Sequence, residues 1–389
     1  MIFSNFWKII NMKRFLSLTI LLAIISPVVV IARTGGNEDP VPLAIGASAP
    51  DFSLKGVDGK TYTLASFSNK KTLVIIFTCN HCPTAQAYED RIIQLNKDYS
   101  GKGVAIVAVS PNDPRSVRLD ELGYSDMSDT YEEMKLRAAQ KKFNFPYLYD
   151  GATQGMSRAY GPITTPHVFI FDKNRKLRFQ GRIDDMEKPS KTPTRMDTRV
   201  ALDELLDGKD ITTATTKVFG CSVKWAGKHD LVKKSDEEWA KESVSIEQID
   251  EAGIKDLVKN NTDKLRLINI WATWCGPCMV EFPDFVTINR MYRGRDFEFI
   301  SICLDDTSKM KKALKFLTDR HAANKNYLFD LDKKYALMEL IDPKWQGGLP
   351  YTLIVEPGGN IVYAKQNMID PARIKKLIVE NKLIGRFYP

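Results

Sequence analysis

The sequence predicts an α/β protein made of two successive α/β/α sandwiches, each with a mixed central sheet. Three observations carry that prediction. Cys79-Asn80-His81-Cys82 and Cys275-Gly276-Pro277-Cys278 each follow a β-branched and apolar run (73–77 and 267–271) and open a stretch with helical spacing. The elements after each pair run twice through the same order, an internal repeat. With an N-terminal segment set aside, about 350 residues remain, which the length prior divides into two domains with a full core each.

The elements follow in order. In the first half the Cys-x-x-Cys helix leads to a strand at 104–110, a long insert, a helix at 131–143 and a strand at 146–149. A short helix at 153–160, two strands at 167–172 and 177–183, and a helix at 197–206 complete it. The second half repeats the pattern at 297–304, 309–321, 327–329, 333–341, 351–355, 361–365 and 371–381. Parallel pairing near the cysteines and a closing hairpin make each sheet mixed. The Lys-, Asp- and Glu-rich stretch 222–244 reads as a hinge or linker, which sets the domains at 40–221 and 245–389.

Placement gives the cysteines their chemistry. At the first turn of a helix, unpaired N–H groups and the positive dipole end stabilise a thiolate, and the Cys-x-x-Cys spacing brings a second sulfur within disulfide reach. A zinc ribbon would set its pairs roughly 15 to 20 residues apart, whereas here a complete set of strands and helices intervenes. A structural staple would join segments distant in sequence, where loop closure removes more unfolded-state entropy. A strand, a Cys-x-x-Cys and a helix therefore read as a dithiol-disulfide exchange site, present twice.

The motifs carry a resemblance over nearly the whole chain after about residue 40. INIWATWCGPCMVEFPDF, with its WCxPC and Glu281-x-Pro283, resembles the TlpA/ResA class. The entry hairpin ASAPDFSLKGVDGKTYTL, together with FTCNHCPTAQAYEDR, TPHVFIFDKNRKLRFQGRIDD and GCSVKW, resembles the AhpC/TSA-type redoxins. Both halves thus resemble thioredoxin-fold proteins. The resemblance implies an enzyme, a thiol-disulfide oxidoreductase whose redox-active disulfides serve in place of any cofactor or metal. It also implies cis peptide bonds at Thr165-Pro166 and Leu349-Pro350, leaving the backbone of Thr165 or Leu349 to pair with an extended substrate segment beside Trp274.

Cys79 and Cys275 are expected to attack, as the cysteines nearest the helix start, and Cys82 and Cys278 to release the mixed disulfide. Glu281 lies one helical turn beyond Cys278, where the resemblance implies a carboxylate able to take a proton from that cysteine. Asn269 and Leu73 stand where classical thioredoxins resemble one another in an Asp, so the first half shows no carboxylate for its site. His81 and His167 are candidates for tuning the thiolate. Cys221 is a candidate third thiol folding back toward Cys79 and Cys82, against a structural or idle role, and Cys303, inside FEFISICLD, is expected as an inert core residue. Pro277 offers Cys275 no N–H, whereas both residues inside CNHC keep theirs, so the first pair is expected to be the more oxidising.

Residues 1–32, with Met12-Lys13-Arg14 followed by an apolar run, read as a signal peptide with Met12 as a candidate start and Val30-Ile31-Ala32 at the cleavage site. Ser17, Thr19, Ser26 and Pro27 dilute the run, which favours cleavage over an uncleaved membrane anchor. A periplasmic or otherwise extracytoplasmic protein follows, in a compartment where disulfides persist. The formal charge of +8 falls to +5 without Lys8, Lys13 and Arg14, and no basic block remains to suggest a nucleic-acid partner. The resemblance implies as partners protein thiols and disulfides of the cell envelope, apocytochrome c among them, and a membrane disulfide reductase as electron donor. Two alternatives compete: an AhpC/TSA-type thiol peroxidase with Cys79 as the peroxide-reacting thiol, and a redox-inactive first domain that serves as a partner-binding module.

Overall fold

A computed structural model describes residues 39–188 and 191–387. The expected signal segment 1–32, with its Met12 start, lies outside the described residues. Among these no helix is long and apolar enough to cross a membrane.

In the first half, β1 (Ser53–Gly56) and β2 (Thr61–Thr63) form the entry hairpin, and β3 (Thr72–Phe77) leads through the Cys-x-x-Cys turn into α1 (Pro83–Tyr99). β4 (Val104–Ser110) ends in the insert, followed by α2 (Tyr131–Lys141), β5 (Tyr147–Tyr149), α3 (Gly155–Tyr160) and the short β6 (Thr164–Thr165). The hairpin β7 (His167–Phe171) and β8 (Leu177–Gly181), then α4 (Asp197–Leu206) and the short β9 (Cys221–Ser222), complete it. Seven strands pair in the order β2-β1-β5-β4-β3-β7-β8, with β3, β4 and β5 parallel. Val74 and Ile76 face a core with Tyr88 and Ile92 of α1, while Leu73, Ile75 and Phe77 face Met156 and Tyr160 of α3. A central strand covered on both faces needs such an unbroken apolar run.

The second half begins with α5 (His229–Ala240), β10 (Glu247–Gln248) and α6 (Glu251–Lys259), then β11 (Leu265–Trp271) and α7 (Gly276–Tyr292). β12 (Phe297–Asp305), α8 (Met310–Thr318), β13 (Lys325–Asp330) and α9 (Lys334–Ile341) follow, then β14 (Tyr351–Val355), β15 (Ile361–Gln366) and α10 (Pro371–Glu380). The sheet order is β10-β13-β12-β11-β14-β15, parallel as far as β11 and antiparallel beyond it.

The stretch 222–244 connects the halves as folded structure rather than as a bare linker. Trp239 of α5 is buried in the core of the second half, with the guanidinium groups of Arg290 and Arg293 over its ring at 5.3 and 4.6 Å. Burying a Trp offsets the entropy of ordering a helix that charged composition alone would leave loose. The insert after β4 docks on the same half. Val117 and Leu122 join the apolar cluster of Phe285, Met291 and Tyr292, and the Tyr292 hydroxyl donates to the Ser125 carbonyl at 2.7 Å. Arg295 donates to the Gly123 carbonyl at 2.8 Å, and Arg386 to Asp126 at 2.6 Å. At Gly123 a Cβ would come within 2.9 Å of the Met291 carbonyl, so the approach of insert and helix requires the glycine.

Leu122→Ala is therefore expected to cost about 2–4 kcal/mol, as a large-to-small change in a shared core does. Urea denaturation followed by tryptophan fluorescence measures it. A loss below about 0.5 kcal/mol, the range of ordinary surface substitutions, would mean that the insert does not bind the halves together.

Candidate active site

The first site differs from expectation in which sulfur the helix meets. α1 begins at Pro83, so its N-cap is Cys82 and not Cys79. Pro83 sets this start, since its missing N–H would be unpaired in the first turn anyway and its φ is already helical. Cys79 lies three residues before the cap, so the sulfur nearest the helix start is Cys82 and not Cys79 as expected. In the second half α7 begins at Gly276, and Cys275 is the N-cap as expected.

Cys82 Sγ accepts the Ala85 N–H at 3.5 Å and the Cys221 N–H at 3.4 Å. Burial alone would push the Cys82 thiol up. Hydrogen bonds from the Cys221 and Cys79 side chains, the charge of His81 and the Ala85 N–H outweigh it and hold Cys82 well below the ordinary 9.0. Cys79 moves the other way: burial raises it, and the hydrogen bond with Cys82 and the Asp129 charge raise it further. Thr165-Pro166 is cis, as expected, and Thr165 touches both sulfurs, with its Oγ1 3.2 Å from Cys79 Sγ and its carbonyl oxygen 3.3 Å from Cys82 Sγ. Cys221 does fold back: β9 pairs antiparallel with β6, Thr165 opposite Cys221.

The carboxylate that the first half lacked in sequence arrives from the insert. Asp129 is fully buried, and its Oδ2 sits 2.5 Å from His81 Nδ1. It also accepts the Asn80 N–H at 2.8 Å, the His81 N–H at 3.2 Å and the Asn112 amide at 2.7 Å. Burial would lower the His81 pKa, but the charge and hydrogen bond of Asp129 raise it, so the imidazolium is favoured beside Cys82. Nothing in the spacing of Ser125-Asp126-Met127-Ser128-Asp129 singles out Asp129; only the fold brings it there. Pro83, by contrast, was a legible signal for the helix start. His167 is buried against Phe169, at 4.5 Å between ring centroids, and burial lowers its pKa to about 4, so it is neutral. Cys79, His81 and Asp129 offer ligand atoms within 4.8 Å of one another, one donor short of a closed tetrahedral zinc site.

At the second site Cys275 and Cys278 are joined in a disulfide, Leu349-Pro350 is cis, and Leu349 packs against the apolar cluster that holds both cysteines. Trp274 is 59% exposed next to Cys275, and among the described residues no strand of the protein pairs with Leu349. Cys303 is buried, and burial followed by the neighbouring Asp305 drives its thiol far up, which suits an inert core residue. Glu281 is 1% exposed; its carboxylate accepts the Ile369 N–H at 2.8 Å and the Asn269 amide at 3.3 Å. Asn269, on the strand, thus serves a carboxylate on the helix. Burial raises the Glu281 carboxyl from 4.5 to about 7, with the Ile369 and Asn269 bonds pulling it partly back.

Between pH 4.5 and about 7 native Glu281 keeps a proton that the unfolded chain has lost. Its contribution to stability is therefore full below 4.5 and lost as pH passes about 7. The role that the resemblance implies for Glu281, taking the proton of Cys278, requires the carboxylate that forms above that pH. Exchange at this site is expected to speed up through an inflection near pH 7, and Glu281→Gln is expected to flatten the profile. Single-turnover reduction of a model disulfide across pH tests this; an unchanged inflection in the variant would refute the assignment.

Family models match the chain twice, the AhpC/TSA family over residues 45–180 and Redoxin over residues 254–378. The thioredoxin-like protein YneN of Bacillus subtilis is 27% identical over 188 residues, covering 47% of this chain and 97% of that protein. The thiol-disulfide oxidoreductase ResA of Geobacillus thermodenitrificans is 25% identical over 138 residues, covering 35% and 68%. A solved structure of the hypothetical protein SMc02350 from Sinorhizobium meliloti is 33% identical and covers 48% of this chain and 98% of that one, with a TM-score of 0.43.

Proposed function

We propose that this chain, which belongs to the thioredoxin-fold AhpC/TSA and redoxin families and is a thiol-disulfide oxidoreductase, exchanges disulfides with protein substrates outside the cytoplasm through two Cys-x-x-Cys sites. The observation that carries this reading is the repeated unit: in each half a cysteine caps a helix N-terminus beside a cis-proline. The helix end supports a thiolate in each half, and at the second site the cis-proline loop presents backbone for a substrate strand. The domains of this reading are 40–221 and 245–389, joined through 222–244.

In the second site Cys275 attacks, Cys278 resolves and Glu281 takes the proton of Cys278. Exposed Trp274 and the Leu349 backbone, with which no described strand pairs, make it the site that docks extended protein segments. In the first site Cys82 attacks and Cys79 resolves. The partners of this reading are envelope proteins with reactive cysteines, apocytochrome c among them, with a membrane disulfide reductase as electron donor. His81, held as imidazolium by Asp129, favours the reduced form of the first site, so electrons within the chain run from Cys275/Cys278 to Cys79/Cys82.

Two observations weigh against the alternatives. A peroxidase built on Cys79 needs a thiolate where burial and the hydrogen bond with Cys82 keep the proton on. A redox-inactive first domain has no use for a buried His81–Asp129 pair at its cysteines.

Cys278→Ser is expected to accumulate mixed disulfides with extracytoplasmic proteins through Cys275, visible on non-reducing gels, while Cys275→Ser accumulates none at this site. Absence of any mixed disulfide in the Cys278→Ser form would overturn protein exchange as its function.

A further inference from the structure

The first site contains an occupant. Where the second leaves Leu349 uncovered, the first has Thr165 paired with Cys221 of its own chain. The fit is close: a Cβ at Gly220 would meet the Thr165 carbonyl oxygen at 2.1 Å, and Gly220 has a φ of +133°. Any side chain there would prevent the strand from reaching the cis-proline. The strand is anchored beyond Cys221 as well, since the Lys224 N–H donates to Asn112 Oδ1 at 2.9 Å and the Asp113 N–H to the Lys224 carbonyl at 2.9 Å.

Burial then separates the three thiols. Cys82 is 0% exposed and Cys79 3%, whereas Cys221 is half-buried and lines a cavity of about 280 Å³ with His81, Pro83, Glu121, Tyr124 and Lys224. A disulfide arriving from solvent meets Cys221 before either residue of the Cys-x-x-Cys. A cavity of that size admits one end of a small-molecule disulfide and not a folded protein's strand.

We propose that Cys221 is the entry thiol of the first site: it exchanges with low-molecular-weight disulfides in the cavity and relays them to Cys82, while its own strand fills the slot that a substrate strand would take. The proposal rests on the exchange chemistry of the preceding section. The Cys221 thiolate attacks an external disulfide RS–SR′; the Cys221–SR bond forms and R′S⁻ leaves. Cys82 attacks Cys221 Sγ, forming Cys82–Cys221 and expelling RS⁻. Cys79 attacks Cys82 Sγ, closing Cys79–Cys82 and returning Cys221 to its thiol. Cys79 and Cys82 lose two electrons and their protons, and the external disulfide takes both up as two thiols. Small thiols run the sequence in reverse.

The test uses the full-length reduced chain, glutathione disulfide as probe, acid quenching and peptide mass spectrometry without reduction. Glutathione is expected first on Cys221, then a Cys82–Cys221 cross-link, then Cys79–Cys82. In Cys79→Ser the Cys82–Cys221 cross-link should become the end product, and Cys221→Ser should form Cys79–Cys82 about tenfold more slowly, as expected when the accessible thiol is removed. Glutathione appearing first on Cys82, no Cys82–Cys221 cross-link in Cys79→Ser, or an unchanged rate in Cys221→Ser would each overturn the relay. Closure of Cys275–Cys278 in the same samples reports that each variant is folded. Failure at the first site alone rejects the relay, whereas failure at both sites rejects the exchange function itself.

Discussion

A carboxylate buried as completely as Asp129 needs several donors, and meeting that need organises the first half. It is met by the backbone of Asn80 and His81, the His81 ring and the Asn112 amide. Two of those residues lie between the cysteines, so the bonds fix the Cys-x-x-Cys turn as they satisfy the acid. Through the side-chain amide oxygen of Asn112, which accepts the Lys224 N–H, the same network holds Lys224, three residues beyond Cys221. Asp129 also closes the insert whose earlier residues pack on Tyr292 and Arg295. The turn, the third thiol and the docking of the halves thus share one network.

The two sites show how one architecture yields different chemistry through a shift of three residues. In the second, the helix caps itself with the first cysteine of the pair; in the first, with the second. Since the cap receives the helix N–H groups, the shift exchanges which sulfur of the pair the helix end favours as a thiolate. The environments follow: an exposed Trp274 and, among the described residues, no strand paired with Leu349 in one half, and β9 paired with β6 beside a buried His81–Asp129 pair in the other. Each half buries an acid from a different element, Glu281 from the helix and Asp129 from the insert.

Sequence made the sheets legible because their central strands are continuous apolar runs with short-range signals at each end, and 104–110, 197–206 and 351–355 match the observed elements at both bounds. The cis-prolines followed from resemblance and are present; Cys221 was a candidate from its place at the end of the first half, and it lies opposite Thr165. What escaped were non-local relations. Asp129 is one acid among several in its segment, chosen by a contact with a residue 48 positions away. The helix in 222–244 depends on a single buried Trp239 amid charges, a weak periodic signal. The helix start at Pro83 was readable from the chain, but the expectation that both pairs use the same cysteine overrode it.

The assignment of Cys82 as the thiolate of the first site is the claim on which the rest turns, and thiolate absorbance at 240 nm measures it directly. In the reduced chain carrying Cys275→Ser and Cys278→Ser, titration should show a thiolate step well below pH 9.0, the ordinary cysteine value. Adding Cys79→Ser should leave that step in place, and adding Cys82→Ser should abolish it. A step that survives Cys82→Ser and vanishes with Cys79→Ser would contradict the account.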